Sequence, residues 1–336
     1  MPTPLDQTRP VRWGILGAGR IAATVGADIQ DSPDSEIVAI GSRDVGRATD
    51  LAGRLNLADA ARSYGSYDEL AADPDVDVIY VATTHGQHHH DALLALRAGK
   101  PLLVEKAFTL DEATGREVFD EAREQDLFCM EAMWMRCNPV VRQAQQLVAD
   151  GRIGRVLSVS ADHGQSFPFD PQNRLYDLSV GGGALLDLGV YSATFAWLFL
   201  GQPETVATTG SLSPTGSDVT TAMQWGYADG RFASVSCTTR SATPCEGLVV
   251  GTQGWLRLSG PFYYPDRLEL HVGDQTEVSG AKLAGNGYGP QVAEVERCLR
   301  AGEIESSLVP WADTLGILAV MDAARANLGV RYPGDE

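Results

Sequence analysis

The stretch "WGILGAGRIA", residues 13–22, decides the fold of the first part of the chain. An apolar run that favours a β-strand ends at Gly17, and a helical pattern begins after Gly19, so that the two glycines and Ala22 form a G-x-G-x-x-A motif. In such a motif the first glycine permits a tight turn, the second admits a pyrophosphate at the helix N-terminus, and the small third residue allows close helix–strand packing. A glycine-rich turn is often only a turn, but because this one follows a predicted strand and opens a predicted helix, it predicts a dinucleotide site. The candidate cofactor-binding residues here are Gly17, Gly19, Arg20 and Ile21.

Predicted strands and helices alternate along the first part of the chain. The strands are predicted at 11–16, 35–42, 76–83, 101–105 and 127–132, with a weaker strand and helix within 61–74. The other predicted helices are at 21–32, 45–55, 88–99 and 111–125. This alternation predicts a doubly wound parallel sheet that binds ligands at the carboxyl ends of its strands. We therefore predict an α/β fold with a Rossmann dinucleotide-binding domain over residues 1–129.

The pattern changes after about residue 130. Stretches rich in β-branched residues follow one another between 153 and 279, and Asp229-Gly230 between two of them is a hairpin signal. Helices are predicted near 139–151 and at 183–201, 290–302 and 311–329. We therefore predict that residues 130–336 form an α+β domain for substrate binding and oligomerisation. Its large, mainly antiparallel sheet would have one face open.

Composition limits the possible partners and location. The chain has 336 residues, a length that predicts two domains, and its net charge of -18 opposes binding to nucleic acid or an anionic membrane. It contains no run of about eighteen apolar residues, so no membrane span is expected. The five cysteines include no C-x-x-C pair and the first residues lack the apolar stretch of a signal peptide, which predicts a cytoplasmic protein with reduced thiols.

The end of the second strand, "AIGSRD" (39–44), bears on the type of cofactor. NAD sites usually carry an acidic residue here for the ribose 2′-hydroxyl, whereas this chain has Ser42. Ser42 and Arg43, with help from Arg47, could hold a 2′-phosphate, so the sequence favours NADP over NAD. Two alternatives remain: Arg43 is a solvated loop residue while Asp44 caps the next helix, or Asp44 is the missing acid, one position late.

The stretch "TTHGQHHHD" (83–91) contains four of the six histidines. His85, His88 and His89 have a spacing that zinc could use, but no cysteine or acid completes a ligand set at a recognisable spacing, so no metal site is predicted. Loops after a central strand more often line the cofactor crevice. The candidate cofactor-binding residues here are Thr83, Thr84, His85 and His88.

Two further stretches carry charged or phenolic residues in apolar surroundings. "KPLLVEKAFTL" (100–110) places Glu105 and Lys106 at the end of a predicted buried strand, where charges need partners. "GGGALLDLGVYS" (181–192) places Asp187 and Tyr191 four residues apart, on one helix face. The pair could be catalytic, or it could be structural, with Asp187 near the helix start and Tyr191 half-buried.

Taken together, "GILGAGRIA", the "EK" that follows "LRAGKPLLV", and "GGGALLDLGVY" resemble the Gfo/Idh/MocA oxidoreductases from Arg12 to about Pro333. "MEAMWMR" (130–136) and the D-x-x-x-Y arrangement resemble the branch with dimeric dihydrodiol dehydrogenases and NADP-dependent xylose dehydrogenases. One departure is Ala107, where the family usually has proline after the lysine.

The resemblance implies a set of roles. Lys106 is expected beside the nicotinamide, with Glu105 near the ribose, and Asp187 and Tyr191 are expected opposite, from the second domain. Tyr191 would exchange the hydroxyl proton while Lys106 supplies positive charge; alternatively, Lys106 is the base and Tyr191 positions the substrate. Asp187 would hydrogen-bond the substrate or orient the lysine. Trp134 could wall the substrate pocket or belong to the core.

The resemblance also implies a function. The expected activity is hydride transfer between NADP, or NAD, and a sugar, polyol or trans-dihydrodiol. The alternative is a non-catalytic NAD(P)-binding regulatory protein on the same fold. In this family the open face of the second sheet commonly pairs with another subunit, so a homodimer or a larger homo-oligomer is expected.

Overall fold

The computed structural model describes residues 4–334, which fold into two compact units. The first unit runs up to Thr109 and adds Ala113–Trp134 and Leu283–Thr314. The second comprises Leu110–Glu112, Met135–Lys282 and the chain from Leu315 onward. The sequence predicts one boundary after residue 129, whereas the contact pattern also assigns the later segment Leu283–Thr314 to the first unit.

The first unit contains a parallel sheet of six strands in the order β3-β2-β1-β4-β5-β6. The strands are β1 (Val11–Leu16), β2 (Ser35–Gly41), β3 (Arg62–Tyr64), β4 (Val78–Val81), β5 (Leu102–Val104) and β6 (Cys129–Glu131). The helices of the chain are α1 (Arg20–Asp31), α2 (Val45–Arg54), α3 (Tyr67–Ala71), α4 (His85–Arg97), α5 (Glu112–Glu124), α6 (Pro139–Ala149), α7 (Val190–Leu200), α8 (Gly289–Ala301) and α9 (Trp311–Leu328). The predicted doubly wound Rossmann sheet is confirmed.

The strands of this sheet are buried because helices cover both of its faces. All four residues of β4 are buried, as is typical of parallel strands, whose sequences read as continuous apolar runs. Trp13 in β1 is fully buried, and its indole N–H donates to the Ser35 hydroxyl at 2.7 Å, so the polar atom of this large side chain is satisfied. The core thereby fixes the register that brings the strand ends, and the loops after them, to one edge.

The second unit contains an eight-stranded sheet in the order β14-β13-β12-β11-β7-β10-β9-β8. Its strands are β7 (Val156–Gly164), β8 (Thr205–Leu212), β9 (Asp218–Gly226), β10 (Phe232–Thr238), β11 (Gly247–Gly251), β12 (Gly254–Leu258), β13 (Leu268–Val272) and β14 (Gln275–Ser279). Neighbouring strands are antiparallel except β7 and β10, which are parallel. The predicted mainly antiparallel sheet is confirmed, and Gly230 adopts the positive φ of 82° that the predicted β9–β10 turn requires.

The two faces of this sheet differ in chemistry. In β10, Ala233, Val235 and Cys237 are buried on the face that α7 covers, and the alternating residues are more exposed. The other face carries small and polar side chains around a shallow groove of about 460 Å³, lined by residues that include Ser160, Ser234 and Trp255. Strand alternation therefore produces one helix-covered face and one open face.

The glycine-rich stretch before α7 differs from the predicted single helix at 183–201. Leu185–Gly189 form a π-helical turn, in which the Val190 N–H bonds to the Leu185 carbonyl, and α7 begins only at Val190. Within residues 4–334, the helical stretch Leu178–Leu200 is long and apolar enough to cross a membrane, but 83% of its most apolar window is buried inside the fold. This burial is the environment of a core helix.

Candidate active site

The glycine turn between β1 and α1 has room for an anionic ligand. Gly17 has a φ of 106°, and a Cβ there would lie 2.8 Å from the Ala82 carbonyl oxygen, so only glycine fits. Around the position of a Cβ on Gly19, by contrast, no described atom beyond its own neighbours in the chain lies within 4 Å. Gly19 is the N-cap of α1, and the first turn of that helix contains no acidic residue. The turn therefore leaves helix N–H groups and open space for a pyrophosphate.

The loop after β4 adds a polar atom at the same edge of the sheet. Thr83 directly follows Ala82, and its hydroxyl oxygen is buried without a hydrogen-bond partner among residues 4–334. Thr84 is the N-cap of α4. A buried hydroxyl that lacks a protein partner is costly, so it fits a site where a bound ligand completes the hydrogen bond.

The end of β2 places Ser42, Arg43 and Arg47 next to α3. Ser42 is buried, whereas both arginines are exposed. Burial and the charge of Asp91 raise the pKa of Tyr67, and the nearby guanidinium groups of Arg43 and Arg47 oppose that shift. Tyr67 was not predicted from the sequence, and its position brings a phenol beside the two arginines that are the candidate ligands of a 2′-phosphate.

Asp44 caps α2. Its carboxylate accepts a hydrogen bond from the Gly46 N–H at 2.8 Å, and the residue is exposed. The structure thus shows Asp44 in the capping role, one of the two alternatives that the sequence leaves open for this residue.

Three side chains hold the segment that contains Lys106. His85 Nε2 lies 3.2 Å from the Lys106 carbonyl oxygen, His88 Nδ1 lies 2.9 Å from that of Ala107, and Glu131 accepts from the Phe108 N–H at 3.2 Å. The second nitrogen of His88 faces the Thr83 carbonyl at 3.2 Å. Burial lowers the pKa of His88, although its carbonyl partners favour the protonated ring. These two histidines are thus occupied with the backbone around Lys106.

The charged pair at the end of β5 is divided between two environments. Glu105 is buried and accepts a hydrogen bond of 2.6 Å from the Tyr80 hydroxyl, whereas Lys106 is half-buried at the carboxyl edge of the sheet. The Lys106–Ala107 peptide bond, where the related family has Lys-Pro, is cis. The strand therefore buries its carboxylate against a phenol and leaves the ammonium partly accessible.

His89 bonds to Glu117 at 2.9 Å instead of turning towards His85 and His88. In the part of the chain that the structure describes, no group of three histidine, cysteine or acidic side chains could hold a metal ion.

Trp134 lies shortly after β6, in the first unit. The residue is 8% exposed, and its ring stacks on Tyr288 with a centroid distance of 4.3 Å and an interplanar angle of 20°. Tyr288 was not predicted from the sequence. The stack joins Trp134, just after β6, to the residue that precedes α8, so the two rings form one aromatic pair within the first unit.

In the second unit, the π-helical turn and α7 carry Asp187 and Tyr191. The Arg174 guanidinium bonds to the Asp187 carboxylate at 3.1 Å, and the arginine is about half exposed. Tyr191 is buried beside His163 and Tyr263, at centroid distances of 5.4 and 4.9 Å. His163 lies 3.2 Å from the Leu188 carbonyl through Nδ1, so it also contacts the turn itself. Asp187 and Tyr191 are thus anchored by Arg174, His163 and Tyr263, none of which was predicted.

The π-helical turn is fixed by a buried carboxylate from β9. Asp218, 2% exposed, accepts hydrogen bonds of 2.8 Å from the Leu185 N–H and from the Thr221 hydroxyl. A Cβ on Gly183 would lie 2.2 Å from the Asp218 carboxylate, which explains one of the glycines in "GGG". Burial raises the pKa of Asp218 to about 6.

Sequence periodicity could not reveal these supporting residues. Arg174, Tyr263 and Asp218 lie on loops or strands that meet the turn only after folding. The close approach of Asp218 explains the glycine at position 183, but the sequence alone gives no sign of it, because the two residues are far apart in the chain.

Both parts of the chain match known proteins. Residues 11–133 match the model of an oxidoreductase family with an NAD-binding Rossmann fold, and residues 141–257 match the GFO/IDH/MocA C-terminal domain. The chain is 35% identical to trans-1,2-dihydrobenzene-1,2-diol dehydrogenase of Mus musculus, covering 97% of this chain and 99% of the relative. It is 34% identical to D-xylose 1-dehydrogenase (NADP(+)) of Hypocrea jecorina, covering 96% and 93%. A solved 3-ketoreductase from Actinomadura kijaniata, in complex with NADP and TDP-benzene, superposes with a TM-score of 0.81 at 26% identity, covering 95% and 98%.

The raised pKa of Asp218 predicts a pH-dependent stability. A carboxyl group whose folded-state pKa is about 6, against 3.8 unfolded, favours the folded state in its protonated form, so its contribution falls as pH rises from about 4 to 6. Relative to Asp218→Asn, we expect the wild type to lose up to roughly 3 kcal/mol of unfolding free energy across this interval, at 1.36 kcal/mol per pKa unit. Urea unfolding of both proteins at several pH values would measure the difference. Parallel stability curves would contradict the assignment.

Proposed function

The chain belongs to the Gfo/Idh/MocA family of oxidoreductases, and on this premise we propose that it is an NADP-dependent dehydrogenase of a sugar, polyol or trans-dihydrodiol. The observation that carries the proposal is the meeting of three features at one edge of the parallel sheet. These are the open glycine turn, the Thr83 hydroxyl, which is buried without a partner among residues 4–334, and the anchored Lys106. The bound nicotinamide cofactor supplies the hydride acceptor for alcohol oxidation and the donor for the reverse reaction.

The residues of this chain would bind the alcohol and move its proton. We assign to Lys106 the binding of the substrate oxygen through its ammonium group, and to Tyr191 the exchange of the hydroxyl proton. Asp187 hydrogen-bonds the substrate, and Arg174 balances its charge. The alternative assignment makes Lys106 the base and Tyr191 a positioning residue.

A purely regulatory role has less support. The relatives that match nearly the whole chain are named as dehydrogenases or as a reductase. The chain also retains Lys106, Asp187 and Tyr191 together. A protein that only sensed the cofactor would not need all three.

Cofactor selection is assigned to the segment after β2. Ser42 stands where an acid would exclude a 2′-phosphate, Asp44 is used in capping α2, and Arg43 and Arg47 are exposed beside Tyr67. The xylose dehydrogenase relative is named for NADP, and the related ketoreductase was solved with NADP. These observations support NADP as the preferred cofactor.

We further propose that the protein forms a homodimer or a larger homo-oligomer through the open face of the eight-stranded sheet. Small residues such as Ser234, Ser236 and Ala222 there allow close approach of a second sheet, and Leu248 and Trp255 add apolar surface. A cytoplasmic location is also proposed, supported by five free cysteines.

The activity is tested by following NADPH formation with the trans-dihydrodiol of benzene, D-xylose and a set of other sugars and polyols. Tyr191→Phe and Lys106→Met should each lower kcat by about 10²- to 10⁴-fold, the usual contribution of general acid–base catalysis. The rate of alcohol oxidation by the wild type should rise with pH, because the proposed base must be deprotonated. This rise should be absent in Tyr191→Phe. Tyr227→Phe and Lys282→Met are matched controls with normal turnover expected. Normal turnover in both site variants would show that the site is misplaced, and a retained pH step in Tyr191→Phe would make Lys106 the base.

Cofactor choice is tested by titrating NADP and NAD into the wild type and Arg43→Ala. Hydrogen bonds to a charged group contribute about 1.5–3 kcal/mol, so the variant should bind NADP about 10- to 100-fold more weakly while NAD binding changes little. Arg54→Ala, an exposed arginine at the end of α2, is the control. Equal affinity of the wild type for both cofactors would refute the assignment.

Self-association is tested by sedimentation at micromolar concentration. The wild type should sediment at twice the mass of one chain or more. Ser234→Arg, which places a charge in the centre of the open face, should shift it to monomer, whereas Gln125→Arg, at an exposed position just after α5, should not. A monomeric wild type would overturn the proposal.

A further inference from the structure

The glycine-rich segment "LAGNGYG" (283–289) folds against α1 within the first unit. Gly285 and Gly287 adopt positive φ angles of 58° and 94°. A Cβ on Gly285 would lie 2.8 Å from the carboxylate of Asp28, so the backbone of this segment approaches that side chain as closely as glycine allows.

Asp28 is 3% exposed, and its carboxylate accepts hydrogen bonds from this segment. The Asn286 N–H donates at 2.9 Å, the Asn286 side-chain amide at 2.8 Å and the Tyr288 N–H at 2.7 Å. Several charge-assisted bonds of this kind offset the cost of burying a carboxylate. The segment is therefore fixed to α1 through one side chain.

The Asp28 carboxylate also serves as an N-terminal cap for α8. Tyr288 is the N-cap of α8 and, among the described residues, makes no side-chain capping bond. Asp28, from another helix, lies where the N–H groups and positive dipole end of α8 favour an anion. A second link ties the two helices further along, since the Ser32 hydroxyl donates to Glu296 at 2.7 Å.

Tyr288, which these hydrogen bonds fix, is the residue that stacks on Trp134. The N–H groups of Asn286 and Tyr288, on either side of Gly287, both donate to Asp28. The centre of the Tyr288 ring lies 4.3 Å from that of Trp134. The opposite end of α1 begins at the open glycine turn, about 12 Å away at 1.5 Å per residue. Helix α1 thus begins at the proposed cofactor site and, near its other end, holds the Tyr288–Trp134 pair through Asp28.

We propose that Asp28 is a positioning residue for the substrate pocket: it holds Tyr288 against Trp134 and so fixes the aromatic surface that binds the substrate ring. The proposal rests on the proposed function for the identity of the substrate. It predicts that Asp28 acts on substrate affinity through Tyr288, although its own side chain contacts neither the substrate nor the cofactor.

The first test needs no substrate. Hydrogen exchange of the segment 283–290 should be at least tenfold faster in Asp28→Ala than in the wild type, because the Asn286 and Tyr288 amides lose their acceptor. Asp31→Ala removes an exposed carboxylate from the same helix and should leave the exchange unchanged. Unchanged exchange in Asp28→Ala would overturn the proposal. If that variant fails to fold, Asp28→Asn, which keeps one acceptor oxygen, replaces it with a smaller expected increase.

The second test separates positioning from general stabilisation. Asp28→Ala should raise KM for the trans-dihydrodiol about tenfold with kcat changed less than threefold, and Tyr288→Ala should do the same. The double variant should be no worse than either single variant, because both remove the same surface. Tyr288→Phe, which keeps the stack, should retain a near wild-type KM.

The outcomes are distinct. Additive effects in the double variant would overturn the role of Asp28 through Tyr288. If the wild type oxidised none of the sugars, polyols and dihydrodiols, the proposed function would fail. The exchange experiment would then still decide whether Asp28 holds the segment.

Discussion

Buried carboxylates that accept hydrogen bonds from backbone amides hold the functional segments of each unit in place. Glu131 accepts from the Phe108 N–H, two residues after Lys106, and Asp218 accepts from the Leu185 N–H, two residues before Asp187. A buried N–H without an acceptor costs about 1–3 kcal/mol, and a buried carboxylate without donors costs more, so each group needs the other. This mutual requirement allows irregular backbone, such as the loop after β5 and the π-helical turn, to keep one conformation beside the proposed site residues.

The use of acidic residues in structural bonds also explains how so acidic a protein can bind an anion. The chain has a net charge of -18, yet several acidic residues are engaged in structural bonds: Asp44 caps α2 and Asp77 pairs with Arg9 and Arg12. The first turn of α1 contains no acidic residue, and Arg43 and Arg47 are exposed at the end of β2. The overall field opposes long polyanions, whereas helix amides and a few local cations suffice for a small phosphate-containing ligand.

Local sequence signals predict the fold. The features that these signals miss depend on contacts between residues that are far apart in the sequence. The strand β1 was predicted at its observed bounds, and both sheets were predicted by class because strand and helix periodicities are local properties. The π-helical turn was missed, since the sequence around it is apolar on all sides and only its packing against Asp218 distinguishes it. Tyr288 was missed for a similar reason. Its partner Asp28 is 260 residues away, and no periodicity reports contact over that separation.

The environment of Tyr191 bears on which residue can exchange a proton. An ionised Asp187, one turn earlier, would oppose the formation of a phenolate on the same helical segment, because like charges at this spacing repel. The Arg174 guanidinium, 3.1 Å from that carboxylate, opposes this repulsion. The His163 ring remains beside the phenol with Nδ1 directed at the Leu188 carbonyl, so it fixes the ring without offering a second negative charge. The second unit thus pairs the acid one turn before Tyr191 with an arginine, and our proposal that a Tyr191 phenolate accepts the substrate proton depends on this pairing.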